Sequence, residues 1–164
     1  MSVGSALVMT ISDSASEGRR EDLSGPEVRR ILEEAGFEVV DVEVFADERM
    51  RIQNRLRVAC DQDHLNLVVT TGGTGLSPRD VTPEATNRII DREAPGMAEL
   101  MRLEGLKSTP KAALSRGIVG VRASTLIVNL PGSVKGASES LTALVPILGH
   151  AIQVLGGSSL NCGE

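Results

Sequence analysis

The chain has 164 residues and a net charge of −5, with Lys and Arg dispersed along it. Such a balance argues against a nucleic-acid binder, which usually shows a basic patch, and no apolar run approaches the ~18 residues that span a bilayer. The hydrophobic share of 41% and charged share of 24% fit one globular domain over residues 1–164.

Leu7 to Ile11 is predicted as a buried first strand. Ser24-Gly25-Pro26-Glu27 has the form of a capping box, with Ser24 at the N-cap and Glu27 at N3. Val28, Ile31, Leu32 and Ala35 follow at helical spacing, and Gly36 can supply the left-handed stop. Phe37 to Val44 is rich in β-branched residues and is predicted as a second strand. Asp47 is placed to cap a second helix with Ile52, Leu56, Ala59 and Cys60 on its inner face. Leu65 to Val69 is the third predicted strand, and Thr82-Pro83 opens a third helix. This alternation of strand and helix is the pattern of a parallel sheet with helices on its faces.

Pro95 opens a further helix with Met97, Leu100, Met101 and Leu103 on its apolar side. Ile118 to Val121 and Thr125 to Leu130 form a predicted antiparallel hairpin. A last helix starts near Lys135, and Pro146 is expected to break or kink it. Cys60 and Cys162 lack metal-ligand spacing: Cys60 is expected as a buried thiol, and Cys162 lies in a polar tail. The N-terminus lacks a basic-then-apolar secretory pattern, so cytoplasmic residence is the expectation. Phe37 and Phe45 are the only aromatic residues. A bound heterocycle would therefore be held by hydrogen bonds, aliphatic contacts and its phosphates.

The most informative segment is Thr70-Thr71-Gly72-Gly73-Thr74-Gly75, between the third strand and the third helix. Glycines let backbone N–H groups approach an anion, threonine hydroxyls add donors, and a helix N-terminus favours negative charge. The spacing fails both Walker A and the dinucleotide fingerprint. On spacing alone the loop is either a phosphate cradle or a structural turn. Ligands in parallel sheets sit beyond the carboxyl ends of the strands, and Ser12-Asp13, Asp47 and Asp80 share that edge. Each is also a plausible turn or cap residue. Two carboxylates beside a phosphate loop, Asp47 and Asp80, can hold Mg²⁺, which prefers oxygen ligands. Asn129 either faces the site or fixes the turn before Pro131-Gly132. Arg116 and Lys135 are either solvated charges or phosphate partners.

Taken together, the chain resembles the molybdopterin-binding family, in particular its bacterial Mog/MoaB-type adenylyltransferases; the gephyrin G-domain is similar. The resemblance rests on Ser12-Asp13, Asp22-Leu23-Ser24-Gly25-Pro26, Ala46-Asp47-Glu48, Thr70 to Gly75 with Pro78-Arg79-Asp80-Val81-Thr82-Pro83-Glu84-Ala85-Thr86, Pro95-Gly96-Met97, Leu114-Ser115-Arg116, and Asn129-Leu130-Pro131-Gly132-Ser133. It implies an α/β, three-layer α-β-α sandwich and a homotrimer. It also implies adenylylation of molybdopterin by Mg-ATP, with a molybdenum insertase taking the product. Asp47 and Asp80 match the functional aspartates, serving catalysis and Mg²⁺. Ser12, Asp13, Ser24, Gly25, Thr70, Thr71, Gly72, Gly73, Thr74, Gly75, Ser115, Asn129, Pro131, Gly132 and Ser133 match ligand-contacting positions. A non-catalytic molybdopterin carrier of the same fold is the alternative.

Overall fold

In the computed structural model, which describes residues 1–157, strand β1 (Gly4–Ile11) is buried along its last six residues. Cys162 lies outside the described residues. A strand buried on both faces needs a layer on each side. Successive side chains supply the two faces. Ala6 and Val8 join a core with Val28, Leu32 and Leu144. Leu7 and Met9 join a second core with Ile52, Leu56 and Ile89.

The six-stranded sheet has the order β2-β1-β3-β6-β5-β4. Strands β2 (Phe37–Phe45) and β3 (Leu67–Thr71) flank β1 in parallel, and β6 (Thr125–Leu130) runs parallel to β3. The expected hairpin is present: β5 (Val119–Arg122) pairs antiparallel with β6. The edge strand β4 (Arg92–Glu93) is antiparallel to β5. Its two charged residues carry no strand pattern in sequence.

Helices α2 (Ser24–Glu34), α5 (Pro95–Leu106) and α6 (Val134–Leu155) cover one face. Helices α3 (Arg49–Asp61) and α4 (Thr82–Asn87) cover the other. A single turn, α1 (Asp13–Ser16), follows β1, and a 3₁₀ segment spans Pro110–Leu114. The architecture is the expected three-layer, mostly parallel α/β sandwich.

Several local expectations are corrected. Leu23, not Ser24, occupies the N-cap of α2; Asp22 just before it accepts from the Gly25 N–H through Oδ1 at 3.0 Å, while Glu27 pairs with Arg30. A charged acceptor is the stronger partner at a helix N-terminus. Asp47 does not cap α3; Glu48 occupies the N-cap without a side-chain bond. Strand β3 starts two residues later than predicted, which brings Thr70 and Thr71 inside it. Helix α6 runs unbroken past Pro146. Pro146 and Thr142 are both exposed, so water can take the Thr142 carbonyl that loses its partner. By length and composition α6 is also apolar enough to cross a membrane, contrary to expectation. It nonetheless lays Leu141, Leu144, Leu148 and Ile152 into the core of this domain. Gly36, at φ 90°, ends α2 as predicted, and Cys60 is a buried free thiol whose pKa burial pushes up to about 11.

Candidate active site

Strand β3 delivers the glycine loop to the carboxyl edge of the sheet. Thr70 and Thr71 are fully buried there, and their hydroxyls are committed inside the protein. Thr71 Oγ1 donates to the Pro131 carbonyl at 2.7 Å, and Thr70 Oγ1 accepts from Asn129 Nδ2 at 3.0 Å. Gly72 and Gly73 then adopt φ of 103° and 68°. A Cβ at Gly72 would collide with the Ile11 carbonyl oxygen, and one at Gly73 with Thr82 Oγ1. Only glycine suits that conformation and that space.

Four consecutive carbonyls of this loop are turned into the protein. Gly72 O accepts from Thr82 Oγ1 at 2.9 Å and Gly73 O from the Thr82 N–H at 3.1 Å. Thr74 O accepts from the Arg116 N–H and Gly75 O from Arg116 Nε, both at 2.8 Å. Among the described residues, the N–H groups of Gly73, Thr74, Gly75 and Leu76 donate to no protein acceptor. A run of tethered carbonyls with free amides has the form of an anion-binding nest.

Asp47 and Asp80 both reach this loop. Asp47 Oδ1 lies 3.1 Å from where a Cβ on Gly73 would stand, and Asp80 Oδ2 lies 2.8 Å from the same point on Gly75. Asp80 Oδ2 accepts from the Ser77 N–H at 3.0 Å. Asp13 and Asp47 clasp each other's backbone: Asp13 N–H donates to Asp47 Oδ2 at 3.0 Å, and Asp47 N–H donates to Asp13 Oδ1 at 2.9 Å. Arg79 chelates Asp13 through Nε and Nη2, at 3.0 and 2.9 Å. That guanidinium holds the Asp13 carboxyl below its ordinary value. Burial, with the charges of Asp13 and Asp80, pushes Asp47 up.

Neither Asp47 nor Asp80 pairs with a cation among the described residues. Hard oxygen donors left without a cationic partner fit Mg²⁺. No group of three or more His, Cys, Asp or Glu side chains forms a complete metal cage among the described residues. Mg²⁺ commonly takes one or two carboxylates and completes its shell with phosphates and water.

Two cavities flank the loop. The larger, about 560 Å³, is lined by Gly73, Thr74, Gly75, Asp80, Ser115, Asn129, Pro131, Gly132 and Ser133 among the expected residues. The smaller, about 80 Å³, is lined by Ser12, Ser24, Thr71, Gly72 and Gly132. Asp13, Gly25, Thr70 and Asp47 line neither. Ser12 caps α1 and Ser133 caps α6, accepting from the Ala15 and Gly136 N–H groups. The Asn129 amide is spent within the protein: Nδ2 donates to Thr70 and Thr86, and Oδ1 accepts from the Ile118 N–H at 3.3 Å. Register explains this, since parallel pairing sets Asn129 beside Thr70. Arg102, Lys111 and Lys135 also line the larger cavity and bring positive charge to it. No motif in the sequence marks Arg102 or Lys111.

Residues 7–150 match the sequence pattern of a family described as "Probable molybdopterin binding domain". The chain is 42% identical over 159 residues to a molybdopterin adenylyltransferase of Helicobacter pylori, covering 96% of this chain and 90% of that one. A crystal structure of the molybdopterin biosynthesis enzyme MoaB from Thermus thermophilus superposes with a TM-score of 0.89 at 51% identity, covering 94% of this chain and 97% of that one. A tungsten cofactor synthesizing protein MoaB from Pyrococcus furiosus superposes with a TM-score of 0.85 at 28% identity, covering 93% and 96% of the two chains.

Proposed function

We infer that this chain, which belongs to the molybdopterin-binding domain family, is a molybdopterin adenylyltransferase of molybdenum cofactor biosynthesis. The terminal phosphate of molybdopterin attacks the α-phosphorus of ATP. A new P–O–P link forms, the bond to the departing pyrophosphate breaks, and the products are adenylylated molybdopterin and pyrophosphate. The observation that carries this reading is the loop with its carbonyls tethered and its amides free, beside a cavity that also holds Asp80.

Both reactants are anionic, so the main barrier is holding like charges together in line. The free amides of Gly73 to Leu76 meet phosphate oxygens without any reorganisation. The N-terminus of α6, capped by Ser133, adds backbone donors, and Lys111 and Lys135 add positive charge to the lining. Asp47 and Asp80 are the residues that would hold Mg²⁺, whose charge would offset that of the phosphates. No covalent nucleophile is needed, and the buried Cys60 thiol is kept out of such chemistry by its raised pKa.

The test is incubation with molybdopterin, ATP and Mg²⁺, followed by detection of adenylylated product. Product above the enzyme-free control is expected. Molybdopterin binding without any product would favour the carrier alternative instead. The same reading includes cytoplasmic residence, where ATP is available, a homotrimer, and transfer of product to a molybdenum insertase. Light scattering that shows only monomer at micromolar concentration would overturn the trimer.

A further inference from the structure

We propose that Arg116 is the positioning residue of the site, setting the amide cradle and Asp80 in one geometry, and that Arg102 braces it from α5. The proposal rests on the adenylyltransferase reading and deepens it. Arg116 makes two of the four bonds that turn the loop carbonyls inward: its N–H to Thr74 O and its Nε to Gly75 O. Its Nη2 donates to the Asp80 carbonyl at 2.9 Å, and its Nη1 pairs with Glu84 on α4. One planar guanidinium therefore joins the end of the cradle, the backbone of Asp80 and the helix that follows. Its three directions are fixed relative to each other, which a lysine ammonium cannot reproduce. Arg102 Nη1 donates to the carbonyls of Ser115 and Gly117, at 3.2 and 3.0 Å, bracketing Arg116. Arg102 also lines the larger cavity. The cavity wall on α5 is thus tied through two arginines to the loop on the opposite wall.

Arg116 acts through Asp80 and the amides, so its loss should not be additive with loss of Asp80. Arg116→Ala is expected to lower kcat by on the order of 10²-fold, the usual penalty for a misplaced site. The molybdopterin Kd should stay within about threefold, because the cavity itself persists. Adding Arg116→Ala to Asp80→Asn should cost clearly less than Arg116→Ala costs alone, and fully multiplicative losses would overturn the proposal. If Arg116→Ala does not fold, Arg116→Lys is measured in the same cycle. A second readout needs no activity. In Arg116→Lys, amide exchange at Ser77, Asp80 and Thr82 should accelerate at least about tenfold while β1 and α6 stay protected. Unchanged exchange would reject the clasp even in an active enzyme. A wild-type protein without product would reject the adenylyltransferase reading and leave the exchange result to decide the clasp.

Discussion

Asp61 at the amino end of the sheet and Asp47 and Asp80 at its carboxyl end are the same residue type in opposite circumstances. At the amino end, Asp61 is chelated by Arg122, with Nε to Oδ1 at 2.9 Å and Nη2 to Oδ2 at 2.7 Å. Asp63 is paired with Arg55, and Asp91 accepts from the Ala123 N–H in the hairpin turn. At the carboxyl end, Asp47 and Asp80 take only backbone N–H groups. The pKa directions follow suit: the Arg122 hydrogen bonds hold Asp61 below its ordinary value of 3.8, whereas burial pushes Asp47 above it. Paired carboxylates fasten the hairpin to α3, and unpaired ones remain available to a ligand. Pairing with an arginine, rather than residue type or edge alone, separates these fastenings from Asp47 and Asp80, since Arg79 chelates Asp13 on the same carboxyl edge.

Three substitutions probe that contrast, starting with the largest effect. Asp80→Asn should lower turnover by on the order of 10²-fold or more while leaving the fold and molybdopterin binding intact. A rate equal to wild type in a steady-state assay would remove Asp80 from the chemistry. Asp47→Asn should cost turnover on the order of tenfold, yet raise Tm at pH 7 by about 1–2 °C. Because the folded pKa of Asp47 lies above 3.8, its ionised form is disfavoured by folding at neutral pH. The gain should therefore vanish below pH 3.8, where the carboxyl is protonated in both states. Asp61→Asn should do the reverse: Tm falls by about 1 °C at pH 7, with turnover unchanged. Its folded pKa is depressed, so that stabilisation is present above 3.8 and lost as pH falls through the folded value. Melting curves across pH with the same sign for both variants would erase the distinction between the two ends.

Much of this arrangement is legible in sequence. Alternating strand and helix patterns predict the parallel layers, and the glycine run marks the loop at the carboxyl edge of the sheet. Strand β4 is not legible, because two charged residues form it by pairing with Val121 and Gly120 alone. The N-cap of α2 falls on Leu23 rather than Ser24, and the acceptor for the Gly25 N–H comes from Asp22, a choice made by the folded geometry. Asn129 has two sequence readings, and the register beside Thr70 selects the fixing role for its amide. Arg116 is the clearest gap. Its partners stand at residues 74, 75, 80 and 84, far enough along the chain that no local pattern links them.

The Arg79–Asp13 pair has a consequence for behaviour in salt. Arg79 is largely in water, with 62% of its side chain exposed, so dissolved ions screen the pair. The Asp13–Asp47 clasp beneath it uses backbone N–H groups and is more sheltered. Rising ionic strength therefore frees the arginine before it disturbs the carboxylates. The side-chain tie between Arg79 and Asp13 is therefore the salt-sensitive contact at this edge, and the backbone clasp between Asp13 and Asp47 the salt-resistant one.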